Sequence, residues 1–159
     1  MKRVTIYLLL LLGWIGTFSS CSKDLPDPGG TGAEKLSGEW FVKVTYDGNT
    51  TDYIKIMTYN TAANNDSLWV DDLENFWQFK VKAKFDGGGL TFATANAQNG
   101  YYDSKVTISN GKVIQHVSTT ESGAVVDSIY FEAKFDDDPD NLTYTFSGHM
   151  RSGFLEDEH

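Results

Sequence analysis

The sequence predicts an all-β fold: a single antiparallel up-and-down barrel of eight or nine strands, with a two-sheet β-sandwich as the alternative. Two observations predict it. Apolar and polar residues alternate with period two along most of the chain, and Gly, Asn and Asp punctuate that alternation at short intervals. So many strands joined by tight turns must hide their edges, and chain-order hairpins favour closure into a barrel.

The expected strands fall near 39–46, 52–59, 67–70, 76–85, 90–95, 103–108, 112–118, 125–135 and 142–151. In the first, Trp40, Val42, Val44 and Tyr46 oppose Lys43 and Thr45. The clearest run is Phe76 to Phe85, where Trp77, Phe79, Val81, Ala83 and Phe85 face one way and Gln78, Lys80, Lys82 and Lys84 the other. A helix would scatter those lysines around its circumference. Ile129, Phe131, Ala133 and Phe135 oppose Ser128, Glu132 and Lys134, and Leu142, Tyr144, Phe146 and Gly148 oppose Thr143, Thr145 and Ser147. Turn signals lie at Asp47-Gly48, Asp86 to Gly89, Asn99-Gly100, Asn110-Gly111 and Asp136 to Asn141. Asn110-Gly111 suits a type I′ hairpin best, because both central residues of that turn need positive φ. The one local turn of helix suggested lies at Asp71 to Asn75.

The chain opens Met1-Lys2-Arg3, continues through an apolar run from Val4 to Leu12, and reaches small residues before Cys21. That charged, apolar, small-residue order is a secretory leader over residues 1–20. The run is shorter than the roughly 18–20 apolar residues that span a bilayer. Cys21 is the one cysteine of the sequence, so it has no disulfide partner within the chain. In position it resembles the lipidated cysteine of bacterial lipoprotein signals, although Phe18 stands where Leu is more usual. Residues 21–36, rich in Pro, Gly and Asp, read as the lipid attachment site and a flexible tether, leaving 37–159 as the β domain. Ser22-Lys23-Asp24 with Asp27 looks like the charged segment of surface-exported lipoproteins, so the expected location is the outer membrane, facing outward.

Loss of Lys2 and Arg3 with the leader would take the formal charge from −9 to −11. Such a chain has no basic patch for nucleic acid and must reside at a membrane through an acyl anchor rather than through charge.

Catalytic and metal chemistry find little support. No Gly-x-Ser-x-Gly nucleophile turn occurs, and His116 and His149 sit within expected strands without placed partners. His159 is expected to lie loose at the chain end. Asp136-Asp137-Asp138-Pro139-Asp140-Asn141 offers oxygen ligands but lacks EF-hand spacing, and a solvated turn accounts for it; the same holds for Asp71, Asp72 and Glu74. No catalytic residue, metal ligand or cofactor is assigned.

The leader, Gly38-Glu39-Trp40, Tyr59-Asn60-Thr61, Ser67-Leu68-Trp69-Val70, the Phe76 to Val81 run and Phe146-Ser147-Gly148-His149 together resemble a family of small bacterial lipoproteins described as lipid-binding putative hydrolases, with a lipocalin-like barrel. The resemblance implies an aromatic-lined cavity for a hydrophobic or amphipathic molecule, and a hydrolase activity for which the residues offer no motif. The candidate lining residues are Trp40, Val42, Tyr46, Trp77, Phe79, Phe131, Tyr144 and Phe146. An eight-stranded barrel sits at the size where side chains either fill the interior or leave room for one small ligand. The leading expectation is a lipid-binding, membrane-tethered protein. A solid core with an exposed apolar patch would instead favour an interaction lipoprotein that binds an envelope protein or a glycan, and a hydrolase of unknown substrate is the third reading.

Overall fold

Antiparallel pairing runs around the molecule in chain order and returns to its beginning. The protein's structure, a computed structural model, describes residues 30–159; the leader, Cys21 and the first part of the tether lie outside the described residues. The strands are β1 (Gly38–Tyr46), β2 (Asn49–Thr50), β3 (Ile54–Asn60), β4 (Ser67–Asp71), β5 (Lys80–Asp86), β6 (Thr91–Gln98), β7 (Lys105–Thr119), β8 (Val125–Phe135) and β9 (Tyr144–Met150). Each main strand bonds to the next, and β1 pairs with β9 through Trp40↔Met150 to Thr45↔Thr145. Eight strands thus form a closed barrel, and β2 is a short addition to the end of β1. Closure removes the free edges that a sandwich would have had to protect.

Beyond shifts of one to three residues at strand ends and the short extra strand β2, two segments differ from expectation. Residues 103–108 and 112–118 were expected to be two strands of a hairpin turning at Asn110-Gly111, yet 105–108 and 112–118 belong to the single strand β7. Asn110 does take positive φ, at 54°, but as a bulge: the pairing with β8 shifts register between Ser109 and Lys112 and then continues. The two-residue turn with both φ positive occurs instead at Asp47 (44°) and Gly48 (75°), joining Tyr46 to Asn49.

The second difference concerns 76–79, expected as strand and found as loop before β5 begins at Lys80. Asp72 explains it. Its carboxylate, fully buried, accepts the backbone N–H of Glu74 (3.0 Å), Phe76 (3.3 Å), Trp77 (2.8 Å) and Phe79 (2.9 Å), satisfying donors that strand pairing would otherwise have taken. Burial pushes its pKa up against those four bonds. Replacing Asp72 by Ala leaves all four donors without an acceptor, and a loss of about 2–3 kcal/mol in urea-denaturation stability is expected.

The loops divide between two ends. At one end lie the β4–β5, β6–β7 and β8–β9 connections; at the other lie the β3–β4, β5–β6 and β7–β8 turns, the entering N-terminal segment and the C-terminal residues. The entering segment is more than a tether. A short 3₁₀ turn, Glu34–Leu36, buries Ala33 and Leu36 completely and plugs that end. The indole N–H of Trp40 donates to Thr58 Oγ1 (2.8 Å), whose hydroxyl donates to the Leu36 carbonyl (2.5 Å), fastening the plug.

Candidate functional site

Six of the eight residues proposed to line a cavity, Trp40, Val42, Phe79, Phe131, Tyr144 and Phe146, are buried in the barrel interior, and Tyr46 and Trp77 pack half-buried against the same core. Phe131 and Phe146 stack at 4.6 Å between ring centroids, Phe79 meets Phe146 edge-on at 5.7 Å, and Tyr46 lies 5.2 Å from Tyr144. Trp77, in the β4–β5 loop, folds back over the barrel end to stack on Phe135 at 4.7 Å and to touch Tyr144 at 5.2 Å. Trp40, Val42, Phe79, Phe131 and Phe146 expose no surface, so no void wide enough for a water molecule touches them. The interior around these residues is solid.

The end covered by Trp77 is held by carboxylates. Asp137 accepts the Trp77 indole N–H (3.1 Å) and the Tyr102 hydroxyl (2.6 Å). Asp138 accepts the backbone N–H of Asp140 (3.0 Å) and Leu142 (2.8 Å) and the Tyr144 hydroxyl (3.2 Å). Burial and the adjacent Asp138 charge push the Tyr144 pKa up to about 12. The acidic run is therefore a hydrogen-bonded turn in which Asp136, Asp137 and Asp138 accept from neighbouring N–H and O–H groups. On the wall nearby, Asp71 accepts the hydroxyls of Tyr101 (2.7 Å) and Tyr59 (2.8 Å) and lies 3.5 Å from Lys80. Its burial would raise its pKa, but Tyr101, the Leu73 N–H, Tyr59 and Lys80 outweigh that and hold it below the usual range.

A ligand-sized space lies on the outside. A trough of about 1060 Å³ crosses the outer wall of β5 to β8. It exists because the outward positions of β6 and β7 are small, Ala93, Ala95, Thr107 and Ser109, while the rim carries Lys84, Lys112, Tyr130 and Glu132. The inward-pointing Phe92 and Ile108 reach its floor through the register shifts of β6 and the Asn110 bulge. At the rim the Lys112 ammonium sits 5.2 Å above the Tyr130 ring. Glu132 accepts the Tyr130 hydroxyl (2.8 Å) and the Asn110 amide (2.9 Å), and these two bonds lower its pKa, so the rim presents fixed charges of both signs. None of the eight interior candidates lines this trough. Its small floor residues left no apolar signature in the sequence; the outward alternation of Glu132 and the turn chemistry of Asn110 were the only signals available.

A second, polar notch of about 290 Å³ brings together Ser118, His149 and Asp157, the residue types of a hydrolytic triad, with Tyr53 and His159 beside them. The bonding of a triad is missing. Ser118 pairs with Ser128 (2.5 Å), and Asp157 accepts the Ser122 N–H (2.7 Å), the Ser122 hydroxyl (2.6 Å) and the Ser152 hydroxyl. His149 packs between Phe41 (6.2 Å) and Tyr53 (5.5 Å), and burial, then nearby His159, lowers its pKa. His159, expected to be loose, stacks on Tyr53 at 4.1 Å. His116 lies exposed on β7, its N–H bonded to Asp127 at 2.8 Å. Among the described residues no cluster of three or more His, Cys, Asp or Glu forms a cage for a metal ion.

Asp138 and Asp157 give the fold a defined acid response. In Asp138 the Leu142 and Asp140 N–H groups and the Tyr144 hydroxyl, and in Asp157 the bonds from Ser122 and Ser152, overcome the effect of burial and depress both pKa values. A depressed folded pKa contributes stability that is complete above the unfolded carboxylate pKa, about 3.9, and is lost as pH falls through the folded value. The urea midpoint is expected to fall steadily below about pH 4, and to fall less in the double variant Asp138→Asn, Asp157→Asn, measured by fluorescence at a series of pH values.

The family described as "lipid-binding putative hydrolase" matches residues 25–155, which takes in the whole barrel. The chain belongs to this family. Lipid binding is thus the activity attached to the family, and an eight-stranded barrel is the fold that this member gives it. None of the curated proteins matches the chain. Among solved structures, a protein of unknown function from Bacteroides ovatus, determined at 2.40 Å resolution, is similar over 77% of this chain at 12% identity and a TM-score of 0.41. The chain covers 43% of that protein's length.

Proposed function

We propose that this family member is a membrane-tethered lipoprotein of the outer membrane, attached through Cys21, which binds an amphipathic, lipid-like molecule in the outer-wall trough rather than in the barrel interior. The observation that carries the reading is the combination of a solid core with a trough of about 1060 Å³ whose floor is Ala93, Ala95 and Phe92. The volume matches that of small-molecule sites, roughly 300–1,000 Å³. An acyl or other apolar chain loses its contact with water along the floor, and Lys84, Lys112 and Glu132 at the rim orient a polar head. The barrel serves as a rigid support for that surface.

The test uses native mass spectrometry after incubation with bacterial lipid extract. Wild-type protein is expected to retain a lipid, and Ala95→Trp, which fills the trough from an exposed position, is expected to reduce retention at least tenfold. Persistent absence of bound species on the wild type, or equal retention by Ala95→Trp, speaks against the site.

The solid interior also favours the second expectation, an interaction lipoprotein whose outer wall meets an envelope protein or a glycan. Here the trough would be part of a macromolecular contact. Retention of no lipid, together with Ala95→Trp abolishing capture of an envelope protein or glycan in pull-down, would select that reading.

A further inference from the structure

Among the described residues seven large apolar side chains are conspicuously exposed, and they are unevenly placed. Tyr101 and Tyr102 lie at the Trp77 end, whereas Ile114, Val117, Val125, Phe154 and Leu155 lie at or beyond the plugged end. Val117 is 58% exposed, Val125 59% and Leu155 88%, values that bring no benefit to an isolated domain. They occupy two structures that project together. The β7–β8 hairpin extends past the barrel, because Lys112 of β7 already pairs with Thr91 at the start of β6 and the seven residues to Thr119 lie beyond. The C-terminal turn, Leu155–Asp157, is fixed to the tip of that hairpin, since Asp157 accepts both the N–H and the hydroxyl of Ser122.

The tether enters at the same end. Gly32 donates its N–H to Asn64 in the β3–β4 turn (3.2 Å), and a Cβ at Gly32 would meet the Phe85 ring at 3.3 Å beside the β5–β6 turn. Eight residues, 22–29, lie between the lipid attachment site and the described chain, and the nine Cα–Cα steps from Cys21 to Gly30 span at most about 32 Å when fully extended. An acyl chain on Cys21 therefore favours this end over the other as the one nearer the bilayer.

We infer that the plugged end of the barrel docks on the lipid bilayer, with Val117 and Val125 of the projecting hairpin and Phe154 and Leu155 of the C-terminal turn inserted among the headgroups. The inference rests on acylation of Cys21. It commits to a zwitterionic surface of no net charge, because Glu121 and Glu156 flank the apolar residues and oppose an anionic one, while Glu158 is paired with Arg151. The orientation also sets the trough, which reaches Asp86 and Thr91 at this end, near the interface from which a lipid would enter.

The acylated protein, reconstituted in phosphatidylcholine vesicles with and without doxyl-labelled lipid, provides the test. Single cysteines at exposed positions, Val117→Cys, Leu155→Cys and, at the far end, Asp140→Cys, are labelled with a polarity-sensitive maleimide dye. Lipid on Cys21 leaves the wild type unlabelled. The dyes at 117 and 155 are expected to shift to the blue and to lose at least half their emission to the doxyl quencher, while the dye at 140 does neither. Equal behaviour at the three positions overturns the docking with the anchor intact. Labelling of the wild type at Cys21 overturns the anchor itself, and the docked orientation with it.

Discussion

Phe146→Ala is expected to lower the unfolding free energy by about 3–5 kcal/mol, measured by urea denaturation. Phe146 exposes no surface and occupies the point where three aromatic layers meet: it stacks on Phe131 at 4.6 Å and meets Phe79 at 5.7 Å and Phe76 at 5.6 Å. Truncation removes the transfer energy of the ring and leaves a void between residues on opposite walls, which cannot collapse without bending strands that are hydrogen-bonded on both sides. The void is dry and apolar, so a benzene-sized solute should recover part of the loss, whereas wild type should be indifferent to it. A wild-type protein stabilised by the same solute would show that the interior is not solid.

Gly148→Ala is expected to cost on the order of 4 kcal/mol, at the upper end for one added methyl group. Gly148 lies on the closing seam, opposite Val42 of β1 and Ile129 of β8. A Cβ there would fall 1.9 Å from the Phe41 carbonyl oxygen and 2.7 Å from the Val42 Cα, both backbone atoms. The strands must separate for the methyl group to fit, and the bonds between β1 and β9 are what closes the barrel. The same methyl added at Gly123, with no atom within 4 Å, meets only the strain of a φ of +83° and is expected to cost about 1 kcal/mol. Denaturation curves of the two variants, compared side by side, check the seam argument.

The strands were legible wherever one face is buried and the other wet. β1, β8 and β9 follow the alternation of Trp40 to Tyr46, Ile129 to Phe135 and Tyr144 to Phe146 closely. The hairpin expected at Asn110-Gly111 failed because positive φ at Asn serves a bulge as well as a turn; only the partner strand, which carries on past Lys112, distinguishes them. The loop at 76–79 keeps a strand's alternation, and what overrides it is a buried carboxylate four to seven residues earlier, Asp72, collecting backbone donors. Ala33 and Leu36 were hidden among tether-like residues, since two apolar side chains among Gly and Pro give no period.

The trough was the least legible feature. Its floor is defined by what is missing, bulk at Ala93 and Ala95, and alanine on a solvated strand face carries no message until the neighbouring rims are in place. The interior aromatics, by contrast, were conspicuous as a set. Whether they surround a space or occupy it depends on ring-to-ring packing across the barrel, which no spacing along the chain encodes.

The seam between β1 and β9 also governs how the protein is made. Trp40 pairs with Met150, so the first strand waits for nearly the last one before its second edge is satisfied. Loop-closure entropy over that separation must be met before the pairing returns anything, which places folding among slow, high-contact-order domains, on a scale of milliseconds to seconds. Until then β1 and β8 each offer an open edge to any neighbouring chain, so the newly made polypeptide is most prone to aggregate in the interval before its ninth strand arrives.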